Sequence, residues 1–259
     1  MSSQAKGCLL VRCPKLMLQY PLTLQPISLI TPFFTSLVIM SQPRLRNAQC
    51  NCDRESGEWK DGDFEVITAD RVRFRVPSYL LFWASELFRD AQKFETNSTS
   101  KTAFTVTLLD SEIETAVIFE HFLKLITDLS LDDLLMHGRD PNLDDARQCN
   151  GLIKFVIKWQ CSPTIFRTIR TLLEAKASLS QAHALLVFTA GAVMEDETVC
   201  FRAIAFWDAS PKLVPSKWPL WVWEHCPFRY AAALARSCSS REGPLAALFT
   251  LELDDLADE

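Results

Sequence analysis

Between residues 63 and 88 the apolar and polar positions follow two periods in succession. Phe64, Val66 and Thr68 alternate with Glu65 and Ile67. After Ala69-Asp70-Arg71 the alternation resumes, with Val72, Phe74 and Val76 set against Arg73 and Arg75. A period of two sends successive side chains to opposite faces of a strand, so the stretch predicts a β-hairpin with one buried face. Pro77 and Ser78 stop the second strand, and Pro suits a helix start because its missing N–H would lack an intrahelical partner there. Leu80, Leu81, Ala84, Leu87 and Phe88 then recur three and four apart, which predicts one helix from Ser78 onward.

Downstream the same two periods recur. Residues 91–101 read as a loop around Asn97-Ser98-Thr99-Ser100. Phe104, Val106 and Leu108 predict a third strand, and Ser111 is expected to cap a helix carrying Ile113, Val117, Phe119, Phe122, Leu125 and Ile126. Leu131-Asp132-Asp133-Leu134-Leu135 predicts a short helix. Residues 144–159 and 165–177 predict longer ones, the first with Ala146, Cys149, Leu152, Phe155, Val156 and Trp159 inward. Two more helices span 182–207, parted by Met194-Glu195-Asp196-Glu197. The expected fold is α+β: a small three-stranded sheet (64–68, 72–76, 104–108) on a helical layer within 61–177, an all-helical extension over 178–250, and a frayed acidic tail at 251–259. Phe74, Leu81, Phe88 and Phe122 are expected in the core.

The first 49 residues break this pattern. Residues 16–43 carry no charge, and 27–40 are nearly continuous apolar sequence interrupted by Pro32, with Pro21 and Pro26 before it. Proline opposes a regular helix through this run, so residues 1–49 are expected to be a leader that is either disordered or not part of the mature fold, the chain then starting at Met40. The alternative is a membrane anchor at 16–40. Residues 47–61 are polar, without periodicity, and read as a linker.

Composition narrows the functional classes. The 259 residues and 48% hydrophobic content suffice for one large or two small domains. The leader holds Lys6, Arg12, Lys15, Arg44 and Arg46 and no acid, so the body is more acidic than the net charge of −5. An acidic body argues against direct nucleic-acid binding. Neither GxGxxG nor GxxxxGK[ST] occurs, so no cofactor is expected. Nine Cys at irregular spacing read as reduced thiols of the cytoplasm or nucleus. Cys50-Asn51-Cys52 lacks two further ligands at sensible spacing, and no metal is expected. Of the four His, His121 and His183 fall in helical patterns, while His225-Cys226 lacks a third orienting group, so no catalytic residue is expected. Glu195-Asp196-Glu197 reads as a solvated helix start. Trp218, Trp221 and Trp223 are the candidate interaction surface, since Trp anchors many interfaces, with a packing lid as the plainer reading.

The hairpin–helix unit resembles the opening of a BTB/POZ domain. The family's strand-start Asp, turn Asp, second-strand Phe and Leu…Ser…Phe helix are matched by Asp63, Asp70, Phe74, Leu81, Ser85 and Phe88. Pro77 stands where the family has His, Arg71 where it has a turn Gly, and Ile126 near its helix-ending Tyr. Trp218, Pro227 with Tyr230, and Leu234-Ala235-Arg236 resemble the helical C-terminal extension of such proteins in basidiomycete fungi. The resemblance implies a non-enzymatic module that self-associates or recruits a partner protein, as an adaptor to a cullin-type ubiquitin ligase or in transcriptional regulation. On the anchor alternative it would do so at a membrane.

Overall fold

The alternating stretch does fold as a hairpin, within a sheet one strand larger than expected. The computed structural model describes residues 54–95, 104–132, 134–135, 139–207, 214–239 and 245–256. The leader, the anchor alternative at 16–40, the Cys50–Cys52 pair and the Asn97 turn cluster lie outside the described residues. The strands are β1 (Arg54–Glu55), β2 (Phe64–Ile67), β3 (Val72–Val76) and β4 (Phe104–Thr107), in the order β1-β3-β2-β4. β2 and β3 pair antiparallel with Val66 opposite Phe74, whereas β1 on β3 and β4 on β2 are parallel. β1 corrects the three-stranded expectation. Both its side chains are exposed and its pairing is made by backbone, so it carries no alternation to read.

The hairpin turn is closed by the Thr68 N–H to Val72 O at 3.0 Å and the Arg71 N–H to Thr68 O at 2.8 Å. Arg71 takes a φ of 61°, the left-handed conformation that Gly adopts without steric cost. On the outer face Arg73 and Arg75 each lie within 4 Å of Glu55 and Glu65. Gly62 enters the hairpin against the Val76 backbone, where an added Cβ would stand 2.3 Å from the Val76 carbonyl carbon.

The helix expected from Ser78 is two. α1 (Ser78–Ala84) and α2 (Glu86–Glu95) are separated by Ser85, which is extended and bridges to Cys161. The Ser85 hydroxyl donates to Trp159 O and accepts from the Leu87 N–H, while the Ser162 N–H donates to Ala84 O at 2.7 Å. α2 therefore occupies part of the stretch read as a loop.

α3 (Ala116–Asp128) starts later than a Ser111 cap would place it. The Glu114 carboxylate accepts from the Leu109 and Asp110 N–H groups at 2.8 and 2.7 Å, which closes a turn before the helix. Asp70 accepts from the Ala116 N–H at 2.9 Å and fixes the true start. Val117, expected inward, is exposed. Leu131, Leu134 and Leu135 form a buried turn.

α4 (Leu143–Lys158) starts at a capping box between Asn142 and Asp145, and all six side chains expected inward on this segment are buried. α5 (Pro163–Ala177), α6 (Gln181–Val193) and α7 (Glu197–Ala205) follow the predicted pattern. Asp196 caps α7 by accepting from the Thr198 and Val199 N–H groups. After a 3-10 turn at Pro215–Lys217 come α8 (Leu220–His225), α9 (Phe228–Ser239) and α10 (Leu245–Asp255). α10 corrects the frayed tail: Leu253 is buried, and its carbonyl accepts from the Arg229 guanidinium.

The core is continuous from Phe64 to Leu253. Beneath the sheet it is aromatic. Phe74 meets Phe119 edge-on at 5.0 Å, and Phe88 stacks on Trp159 at 4.3 Å. Phe188, Phe201 and Tyr230 surround Phe249 at the other end. Among the described residues, no helix is long and apolar enough to cross a membrane.

Candidate functional site

Trp218 precedes α8 in extended backbone, with Pro219 as the helix N-cap. A helix this short has two sides. Trp221 and Val222 point into the core, while Leu220 is 70% exposed and Trp223 46% exposed. Trp223 lies over Trp218, with ring centroids 5.1 Å apart and planes 24° apart. Cys226 is buried, Pro227 restarts the chain, and Phe228 opens α9 at 83% exposure. Of the three candidate tryptophans, Trp218 and Trp221 are therefore buried, and only Trp223 is presented. Its exposed apolar neighbours along the chain are Leu220 and Phe228. The spacing Trp-x-x-Trp-x-Trp holds too few residues to show which side of α8 would be covered. A second exposed aromatic pair, Tyr79 and Trp83, lies one turn apart on α1.

The positions matched to the family motif are structural joints. Asp63 accepts from the Ser78 N–H and hydroxyl, both at 2.7 Å. The hydroxyl and then the backbone bond hold its carboxyl below the usual carboxylate value. Ser78 thus supplies the polar partner that Pro77 cannot. Phe74, Leu81 and Phe88 are wholly buried, and Ser85 is the α1–α2 joint already described. A joint that sequence reading missed centres on Glu114. Its buried carboxylate accepts from the Trp159 Nε1–H at 2.9 Å and pairs with Lys158 at 3.0 Å, besides closing its own turn. Its partners lie up to 45 residues away, beyond any local pattern.

Two arrangements have the residue types of hydrolytic catalysis. Ser180 donates to Asp140 at 2.6 Å and meets His183 Nδ1 at 2.8 Å. Here the hydroxyl sits between carboxylate and imidazole, whereas a catalytic triad places the imidazole in the middle. Ser180 is instead the N-cap of α6, accepting from the His183 N–H. At His225-Cys226, burial pushes the thiol up to about 12, the reverse of what a thiolate nucleophile needs. Burial likewise raises Cys149 and Cys161 to about 12. His121 Nε2 lies 3.0 Å from Gln148 beside a cavity of about 120 Å³ lined also by Lys124, Asp128 and Asp132. Among the described residues, no group of three or more His, Cys, Asp or Glu could hold a metal ion.

No protein-family model, curated protein or solved structure matches this chain.

Proposed function

We propose that this chain is a non-catalytic protein–protein interaction module of the BTB/POZ kind, acting by self-association or by recruiting a partner protein. The observation that carries the reading is the exposure of Leu220, Trp223 and Phe228 around α8 and the start of α9. Large apolar side chains of this sort, backed by a buried aromatic layer, are what interface anchors are made of. The hairpin–helix unit, with Asp63 tied to Ser78 and parallel β4 beside β2, supports the family part of the reading. The buried free thiols are in keeping with a reducing cytoplasm or nucleus. An adaptor role toward a ubiquitin ligase or a transcriptional regulator follows from the resemblance alone.

Sedimentation velocity on the full chain tests the reading. Concentration-dependent association is expected, weakened about tenfold or more by the pair Trp223→Ala and Phe228→Ala. Tyr79→Ala with Trp83→Ala reports on the α1 face in the same way. A chain that stays monomeric at about 100 μM, and whose recovered partners neither pair of substitutions alters, overturns the proposal.

A further inference from the structure

The exposed corner of Leu220, Trp223 and Phe228 has opposite charge on its two sides. α8 packs on α4, α9 packs on both α8 and α10, and no substantial contact joins α4 to α10 among the described residues. The order across this surface is therefore α4, α8, the start of α9, then α10. Which side of α4 meets α8 follows from its other neighbours. Gly151 faces Ile118 of α3, and Gln148 faces His121 of the same helix, while Asp145 shares a crevice with His183 and Leu186 of α6. Asn150 lies on the remaining stripe between Arg147 and Lys154 and is buried, so α8 is the element that covers it. Lys154 itself stands exposed beside α8 without an ion pair among the described residues, whereas Arg147 meets Asp144 at 3.7 Å. On the far side the Arg229 guanidinium, next to Phe228, binds Leu253 O. Asp254 and Asp255 follow directly, both exposed and without an ion pair among the described residues. Between the flanks, exposed Lys217 and Glu224 offset one another. In sign the surface runs cationic, apolar, anionic.

We propose that the occupant of this corner is a second copy of the chain, turned about a two-fold axis near Trp223 so that Lys154 of each copy faces Asp254 and Asp255 of the other. In a two-fold pairing the same patch serves both copies, and contacts are reciprocal. The apolar centre then meets itself, and each end of the surface meets the opposite end. A surface of one sign throughout would repel its own copy. Opposite signs on the two sides make the pairing attractive and fix its register. The chain is net acidic, with a formal charge of −5, so two copies repel in most other orientations. The inference rests on the reading of this corner as a contact surface and adds to it the identity of the partner.

Sedimentation velocity on the full chain and on two charge-reversed forms tests the pairing. Lys154→Glu in one form, and Asp254→Lys with Asp255→Lys in the other, should each weaken self-association about tenfold or more, since like charges then meet at both ends. The three side chains are exposed, so both forms should keep the native fold, which unchanged urea unfolding verifies. Mixed in equal amounts, the two forms should recover association at the native strength, because each reversed end finds the opposite charge on the other form. Self-association that neither reversal weakens, two weakened forms that do not recover on mixing, or a chain monomeric at about 100 μM overturns the inference. Where Trp223→Ala with Phe228→Ala still weakens association or partner recovery in such a case, the corner remains a contact surface and only its occupant is different.

Discussion

Trp159 and Trp218 are buried alike, at 8% and 6% exposure, yet they belong to differently made regions. The Trp159 indole donates to Glu114, its ring stacks on Phe88, and its carbonyl accepts from Ser85. The Trp218 Nε1 is buried without a partner and its ring stacks on a half-exposed Trp223. Under the sheet, polar ties between distant residues define one arrangement. Around α8, docking rests on apolar area alone, with Trp218 and His225 each leaving a ring nitrogen unbonded. Buried polar groups that are paired specify a unique packing, whereas unpaired ones tax it. The difference marks the Trp159 region as tied by polar bonds between distant residues and the α8 region as held mainly by apolar packing.

The sharpest way to break this comparison is at Glu114. Glu114→Ala strands the Leu109 and Asp110 N–H groups and the Trp159 indole, and should cost about 3–5 kcal/mol in urea unfolding. A loss under about 1 kcal/mol would show that the ties add little. The paired substitution at the two tryptophans is next. Trp159→Phe should cost about 2 kcal/mol, because it forfeits a hydrogen bond to a charged acceptor. Trp218→Phe should cost about 0.5 kcal/mol, because the lost area is offset by removal of an unsatisfied donor. Equal costs would erase the contrast. Arg71→Gly should instead stabilise the sheet end by about 0.5–1 kcal/mol, since the left-handed penalty exceeds the extra entropy of Gly. Melting of the single variant reads this directly, and a loss of stability would show that the Arg71 side chain contributes more than its backbone strain. The smallest effect concerns Asp63. Its lowered pKa means the Ser78 bonds favour folding above the usual carboxylate range and lose that contribution as pH falls through the depressed value. In Ser78→Ala, an NMR titration should find the Asp63 carboxyl moved up toward 3.8, because the hydroxyl bond is lost while the backbone N–H of residue 78 still donates.

Much of the fold was legible where a single period governs a stretch. The β2–β3 hairpin, α4 with its inward row from Ala146 to Trp159, and the α6–α7 break at Asp196 all follow from local spacing. What was not legible is decided by distant partners. β1 is two exposed charged residues whose strand exists because β3, distant in sequence, offers backbone groups and places Arg73 and Arg75 beside Glu55. Ser85 lies in an unbroken helical stripe, and nothing near it announces Trp159 O. Ser111 is a good cap by type, but Asp70 and Glu114 place the helix start at Ala116. The tail is acidic, yet Leu253 finds a groove and Arg229 finds its carbonyl. At the Trp cluster, spacing named the right segment without separating the two buried rings from the presented one.

The Ser85 joint also bears on the order of folding. Its hydrogen bond to Trp159 O closes a span of 74 residues, and the Ser85–Cys161 bridge a similar one. Local helix formation takes about a microsecond or less, so residues 78–95 can coil as one rod before α4 arrives. Closing so long a span is entropically slow to be rewarded, which places the kink late. Ser85→Ala should then speed unfolding and leave the folding rate nearly unchanged. The hinge between α1 and α2 is, on this account, a seal set after assembly.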